Sequence, residues 1–470
     1  MPETRYRDAV VIGAGQGGGP LAAALAESGR DTLLVEREHV GGTCVNDGCT
    51  PTKTMVASAR VAHLTRRAGD YGVRGGGAVT VDLARVRERK RRIVESFREG
   101  SRSSLVATEG LELRGATARF VGPRTLDLLA PDGSLERVEA GEVFLNVGAR
   151  PRMPELSGLP EVPFLTSTSI MELAEVPEGL LVLGGGYVGV EFAQMFRRFG
   201  SEVTVVQRAS ALLPREDRDV SDAVREIFTE DGIDVILDVE ATSVRRRGDA
   251  LLLSLASGGP AGGTAELGGS HLLVAVGRAP NTEGLGLETA GVATDQRGHI
   301  RVNDRLETTA DNVWALGDVK GGPAFTHVSY DDFRVLRANL LEGGDRSIAD
   351  RIVPYTVFTD PQLGRVGLTE REAREAGRRV RVAKLPMDRV ARALETDETR
   401  GFMKAVVDAD DGTILGAAVL GAEGGETMSV LEMAMLGGIG WERVRDATLA
   451  HPTFAESLNN LFMTLDTEDT

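Results

Sequence analysis

Cys44 and Cys49 are the only cysteines of the chain, and four residues separate them in the glycine-rich run GGTCVNDGCTPTK, Gly41 to Lys53. Two thiols this close, with no others to pair with, can make and break one disulfide, so the spacing points to two-electron redox chemistry. Two other uses stay open on the residues alone. Two cysteines cannot complete a four-thiolate zinc site, but a mixed site could draw on the six histidines, although no second ligand pair stands at finger spacing. A structural disulfide would close a short loop, which gains little, and a reducing compartment keeps inert thiols reduced.

Two glycine signatures supply the elements that would have to position such chemistry. The first, DAVVIGAGQGGG, is an apolar strand-like run that delivers Gly13, Gly15 and Gly18 in GxGxxG order ahead of the helix-like LAAALAESG. Gly13 permits the tight turn, Gly15 lets a pyrophosphate approach backbone N–H groups at the helix N-terminus, and Gly18 lets helix and strand pack closely. Glu36 closes the next strand 23 residues beyond Gly13, where an acid can hold ribose hydroxyls. The second copy, LLVLGGGYVGVEFAQMF, repeats the order with Gly184, Gly186 and Gly189. One chain with two dinucleotide sites implies a bound flavin and a diffusing nicotinamide. The first site leads within thirty residues into the cysteine motif and is the natural FAD site; the second is then the NAD(P)H site. Its following strand, SEVTVVQR, ends in Gln207 and Arg208 rather than in the acid that would repel a 2′-phosphate. Arg208 can pair with that phosphate, so NADPH is the expected nicotinamide, with NADH the alternative.

Length and composition agree with this organisation. A chain of 470 residues has room for about three domains, and 58 glycines against 21 aromatics favour tight turns and phosphate loops over a base-stacking surface. A net charge of −16 and a pI near 5.1 argue against nucleic acid as a partner. The basic run RVRERKRR, Arg85 to Arg92, alternates with Glu88 and apolar positions, as a solvated helix face does. MPETRYRD lacks an apolar core of the kind export needs, and the most apolar stretch, Leu180 to Phe196, is broken by Glu191 and glycines, so a cytoplasmic protein with no membrane span is expected.

The run GGTCVNDGCTPTK resembles the GGTCxNxGCxPSK motif of the class I pyridine nucleotide-disulfide oxidoreductases, which include glutathione, lipoamide and mercuric reductases, and the resemblance extends over nearly the whole chain. Thr52 stands where Ser is usual, and Asp47 and Thr50 replace residues that are apolar in many relatives. The resemblance implies that Cys44 is the interchange thiol that attacks substrate and that Cys49 faces the flavin as a charge-transfer thiolate. It places Lys53 near the flavin, paired with Glu191, and Tyr187 as the gate on the nicotinamide side. NVGARP, Asn146 to Pro151, occupies the position of ATGxxP at the crossing out of the FAD domain; AVGRAPN, which contains Gly277, marks the return. In DNVWALGDV the resemblance puts Asp318 on the ribityl chain; it puts Thr326 near the isoalloxazine ring and Ala118 near the adenine, with Ala116 in place of the usual Gly. Near the C-terminus HPTFAES matches HPTxxE, which implies that His451, oriented by Glu456, enters the active site of the other subunit and acts as the base that takes the Cys44 proton. His63 and His327 read as structural or surface residues.

The fold expected is α/β, with two Rossmann-like dinucleotide-binding domains for FAD and NAD(P) and a C-terminal α+β dimerisation domain. The segments are 1–150 (FAD), 151–278 (NAD(P)), 279–349 (the return to the FAD or central domain) and 350–470 (dimerisation). The function expected is that of a homodimeric, NAD(P)H-dependent flavoprotein passing electrons through Cys44 and Cys49 to a small disulfide or a thiol-reactive metal ion. No resident metal is expected. The SLNNLF and FTHVSYDDF segments look most like a mercuric-reductase-like branch that includes copper reductases of the reactive-chlorine response. A mercuric reductase would be expected to carry a C-terminal cysteine pair and an extra N-terminal metal-binding domain; this sequence closes on LFMTLDTEDT. Two alternatives stay open: a dihydrolipoyl dehydrogenase, which shares HPTxxE, and a non-enzymatic flavin redox sensor or docking subunit.

Overall fold

A computed structural model of the chain describes residues 4–74, 78–256 and 265–467. The chain divides into two compact units: one holds the residues up to Thr54 with Val86–Arg152 and Gly277–Arg351, the other Met55–Arg85, Met153–Val276 and the residues from Ile352 onward.

In the first unit, the strand Thr4–Ile12 ends in the uninterrupted apolar run Ala9–Ile12, as a strand covered on both faces requires. It pairs in parallel with Thr32–Glu36 on one side and Leu135–Leu145 on the other, and Leu111–Gly115 extends the parallel set beyond Thr32–Glu36. Leu135–Leu145 also pairs antiparallel with Thr125–Leu129, which pairs antiparallel in turn with Thr117–Phe120, and at its end in parallel with Val313–Ala315, to make a seven-stranded sheet. Successive side chains alternate between two cores: Val10, Ile12, Leu33 and Val35 in one, Ala9, Val11 and Leu34 in the other. The helix Gly18–Glu27 returns over the second of these, burying Leu21, Ala22, Leu25 and Ala26 at the spacing of one helical face. The turn between the first strand and this helix therefore lies at the carboxyl edge of a parallel sheet, where open α/β folds bind ligands.

The second unit repeats the strand–helix–strand pattern with Gly179–Leu183, Tyr187–Phe199 and Glu202–Val206, within a parallel sheet completed by Asp234–Ile236 and His271–Val274. Its C-terminal part is a five-stranded antiparallel sheet in the order Tyr355–Val357, Gln362–Gly367, Ile414–Gly421, Phe402–Asp408, Val380–Pro386. Met428, Leu431, Leu458, Leu461 and Phe462, from the helices Gly424–Leu436 and Ser457–Met463, share a core with these strands. The architecture is the expected α/β arrangement of two nucleotide folds with an α+β C-terminal part. The two crossing segments meet, with Ala149–Pro151 pairing antiparallel with Arg278–Pro280. The basic run lies on the helix Leu83–Ala107 with Arg85, Glu88, Arg89, Arg91 and Arg92 exposed, but Lys90 in its midst is buried. Among the described residues no helix is long and apolar enough to cross a membrane.

Candidate active site

Both phosphate loops are built to the same plan. A Cβ on Gly13 would lie 2.3 Å from the Asn146 carbonyl oxygen and one on Gly184 2.5 Å from that of Ala275, and both residues have positive φ (+101° and +114°). A Cβ on Gly18 would lie 2.1 Å from the Gly13 carbonyl and one on Gly189 1.9 Å from that of Gly184, so any larger residue would push the helix off its strand. Gly186 faces open space, as a close approach to a pyrophosphate needs, and Gly277 has a φ of +116° with nothing against it. The residue after each first glycine is also held alike. Glu36 Oε2 accepts from the Ala14 N–H (2.8 Å), and Gln207 Oε1 accepts from the Gly185 N–H (3.3 Å). Gln207 is thus the spatial counterpart of Glu36, with an amide where the first site has a carboxylate. Glu36 Oε1 takes the Glu38 N–H at 2.8 Å, and each oxygen keeps a lone pair for a ribose hydroxyl. Ala118 is buried in the strand Thr117–Phe120, near Ala116, whose N–H bonds to the Glu36 carbonyl. The Arg208 side chain is 83% exposed and its nearest carboxylate, Glu240, stands 3.9 Å away.

The cysteines sit on two short steps of backbone pressed against the first cradle. Cys44 is on the helix Gly42–Asn46 and Cys49 opens the helix Cys49–Arg66. A Cβ on Gly42 would lie 2.8 Å from the Gly15 Cα, so the redox loop rests on the phosphate loop itself. Asn46 fastens it from within, donating to the Val40 and Gly42 carbonyls (3.0 and 2.9 Å) and accepting from Arg98 Nε (2.7 Å). Cys44 is half-buried and Cys49 exposed. The Cys44 thiol is pushed far above its ordinary pKa, first by its hydrogen bond with Cys49 and then by burial, while Thr326 and the Lys53 charge oppose the shift. Thr326 Oγ1 lies 3.4 Å from Cys49 Sγ, so it faces the same sulfur pair. Lys53, four residues after Cys49 on the same helix, shares its face.

Asp318 is pushed up by burial against the pull of Arg278, whose Nε stands 3.7 Å from its carboxylate. That Arg278 Nε is buried with no hydrogen-bond partner, as expected where a further polar group completes the site. With the glycine cradle, Glu36 and Asp318, it makes the first site fit a dinucleotide such as FAD. The second cradle, with open Gly186 and exposed Arg208, fits a nicotinamide dinucleotide.

Tyr187 begins the helix Tyr187–Phe199 and is half-buried; Glu191, one turn on, is buried and accepts the Phe358 N–H at 2.8 Å. In the C-terminal segment, His451 Nδ1 lies 2.9 and 3.0 Å from the two Glu456 carboxylate oxygens. This fixes the proton on Nδ1 and leaves Nε2, on a side chain 67% exposed, to exchange protons. Among the described residues no group of three or more His, Cys, Asp or Glu side chains is arranged to hold a metal ion.

Asn146 is a site residue that the sequence marked only as a domain crossing. Its Oδ1 accepts from the Gly18 N–H, its Nδ2 donates to the Leu316 carbonyl and its N–H to the Ile12 carbonyl, all at 2.8 to 2.9 Å. One buried side chain thus ties the phosphate loop to the segment entering Gly317 and Asp318. The signal for it was present in the sequence: Ala275 holds the matching place in the second copy, so a large amide in the first had to be filling something.

The family described as "Pyridine nucleotide-disulphide oxidoreductase" matches residues 7–332, and its dimerisation domain matches 353–462. The chain is 39% identical over 458 residues, 97% of its length and 98% of the relative's, to the "Probable pyridine nucleotide-disulfide oxidoreductase RclA" of Escherichia coli. It is 36% identical to the mercuric reductase of Streptomyces lividans over 96% of this chain and 94% of that one. It is similar in structure, with a TM-score of 0.89 and 37% identity over 98% of this chain and 100% of the other, to the "Cu(II) complex of HOCl-induced flavoprotein disulfide reductase RclA from Escherichia coli".

Proposed function

This chain belongs to the pyridine nucleotide-disulphide oxidoreductase family, and on that premise we propose that it uses NADPH to reduce a small disulfide or a thiol-reactive metal ion through Cys44 and Cys49, as a homodimer. It is a flavoprotein disulfide oxidoreductase of the type that depends on FAD and NAD(P)H. The observation that carries the finer reading is the hydrogen-bonded thiol pair seated directly on a dinucleotide cradle, Gly42 against Gly15. FAD, held by Gly13, Gly15, Gly18, Glu36 and Asp318 beside Lys53, supplies when bound the relay of two electrons from nicotinamide to sulfur.

Each remaining step belongs to the chain's own residues. Cys44 keeps its proton against Cys49, so it becomes a nucleophile only when a base removes that proton; His451, its Nδ1 fixed by Glu456, has Nε2 free to do so. The Cys44 thiolate attacks one sulfur of the substrate disulfide, forming a mixed disulfide and expelling a thiolate that His451 protonates. Cys49, as the thiolate, then attacks the Cys44 sulfur, breaking the mixed bond, releasing the second thiolate and restoring the Cys44–Cys49 disulfide. Thr326, its hydroxyl 3.4 Å from Cys49 Sγ, can donate to that thiolate before it attacks. A soft metal ion would meet the same two sulfurs as ligands.

The test is turnover of lipoamide, glutathione disulfide, Hg(II) and Cu(II) with each nicotinamide, together with anaerobic NADPH titration. NADPH-driven turnover of a small disulfide or metal ion, lost in Cys44→Ser, and a long-wavelength absorbance band, lost in Cys49→Ser, are expected. Wild-type disulfide turnover in both variants would overturn the sulfur relay. Fast NAD-dependent oxidation of dihydrolipoamide with no NADPH preference would replace this reading by that of a dihydrolipoyl dehydrogenase.

A further inference from the structure

The strand Tyr355–Val357 and the residue after it grip the start of the helix Tyr187–Phe199 at two points one turn apart. The Phe358 N–H bonds to Glu191 (2.8 Å), and the Tyr355 ring packs against the Tyr187 ring with centroids 5.3 Å apart and planes tilted by 49°. The two hydroxyls are hydrogen-bonded to each other, and the Tyr355 hydroxyl donates its only proton to Glu216. Tyr187 must therefore be the donor to Tyr355, and the chain runs one way, from Tyr187 through Tyr355 to the Glu216 carboxylate. The Glu216 side chain is wholly buried, and Arg365, 3% exposed, stands 3.5 Å from its second oxygen. Burial pushes the Glu216 carboxyl above its ordinary range against the pull of Arg365, and a side chain enclosed beside that arginine is a fixed anchor at the end of this chain that belongs to neither phosphate loop.

We propose that Tyr355 is a positioning residue for nicotinamide entry: anchored on Glu216, its hydroxyl holds Tyr187 in its half-buried place and sets how readily that ring is displaced by an arriving dinucleotide. This rests on the reading of Tyr187 as the gate. If the closed arrangement dominates without ligand, the measured affinity is the intrinsic affinity reduced by the small open fraction, and loosening the latch tightens binding.

The experiment is calorimetric titration of the oxidised, FAD-loaded protein with NADP⁺ and, separately, with adenosine 2′,5′-bisphosphate, which lacks the nicotinamide and does not need the ring to move. Tyr355→Phe keeps the ring and removes the hydroxyl. It should lower the NADP⁺ dissociation constant roughly 2- to 10-fold, the value of one hydrogen bond, and leave that of the bisphosphate unchanged. Glu216→Gln, which keeps the shape but weakens the acceptor, should shift NADP⁺ the same way by less. Tyr187→Ala should tighten NADP⁺ on its own, and adding Tyr355→Phe to it should give no further gain. If Tyr187→Ala fails to tighten NADP⁺, the gate reading falls. If it tightens NADP⁺ while Tyr355→Phe and Glu216→Gln do nothing, or if both ligands shift alike, the gate stands and the latch is refuted.

Discussion

The correspondence between Glu36 and Gln207 makes nicotinamide preference a quantitative test. Each lies 23 residues beyond the first glycine of its cradle and accepts the N–H of the next residue, Ala14 in one site and Gly185 in the other. Gln207→Glu should therefore fold without strain, since a carboxylate already makes this contact in the first site. The amide's other bond, to the Ala211 carbonyl, is long at 3.4 Å and its loss costs little. Arg208→Ala removes the candidate partner of the 2′-phosphate. A charge-assisted contact is worth about 1.5 to 3 kcal/mol, and with Arg208 83% exposed the lower end applies, roughly tenfold against NADPH. The new carboxylate repels a 2′-phosphate by about 1 kcal/mol in a watery setting and offers NADH a ribose hydrogen bond of similar size. The double variant should thus move the NADPH/NADH ratio of kcat/KM by about 3 kcal/mol, or roughly 10²-fold, toward NADH. Arg208→Ala alone should lower NADPH efficiency about tenfold and leave NADH nearly unchanged. An unmoved ratio in the double variant would show that the end of this strand does not read the 2′ position.

His451→Ala should leave reduction of the flavin by NADPH nearly intact in stopped flow but slow thiol–disulfide exchange by about 10² to 10⁴. Mixed with Cys44→Ser dimers under subunit exchange it should regain activity, and no recovery after proven exchange would mean that the site is not shared between subunits. Asn146→Ala strips the Gly18 N–H and the Leu316 carbonyl of partners at a buried position, and should cost about 2 to 4 kcal/mol in urea unfolding and release FAD at lower denaturant; unchanged FAD retention would separate this side chain from the cradle. The His63 imidazole is pushed down to about 4, chiefly by burial and then by the Arg198 charge. A folded-state pKa below the unfolded value favours the neutral ring, so this contribution is full above about 6.5 and is lost as pH falls toward 4. Urea midpoints of His63→Gln should accordingly fall less between pH 7 and pH 4.5 than those of the wild type; parallel losses would refute this.

What was legible in the sequence was what short spacings fix. The glycines of both cradles, Glu36 and Gln207, and the two cysteines each follow from a turn or a strand–helix unit of fixed length, so their order in the chain is their order in space. The α/β class followed for the same reason. The contacts that join distant segments left no such trace. Tyr355 and Glu216 are 139 residues apart and meet through packing alone, and Asn146 reaches Leu316 across 170. Lys90, inside a run that reads as solvated, is buried because helical rotation turns that position inward, which alternating charge in the sequence does not reveal. Grouping of Met55–Arg85 with the later segments was equally hidden, since Cys49–Arg66 is one unbroken helix and nothing in its sequence marks a border.

The short ribbon of Ala149–Pro151 and Arg278–Pro280 gives the chain a ready-made seam. Three residues on each side pin the outgoing and returning backbone next to each other, so everything between them enters and leaves through one doorway in the first unit. A segment whose two ends are already neighbours imposes little loop-closure penalty on its host. A replacement between Arg152 and Gly277 would leave this ribbon in place, but it would also have to keep Tyr187, Glu191 and Glu216, which Tyr355, Phe358 and Arg365 hold from outside that stretch.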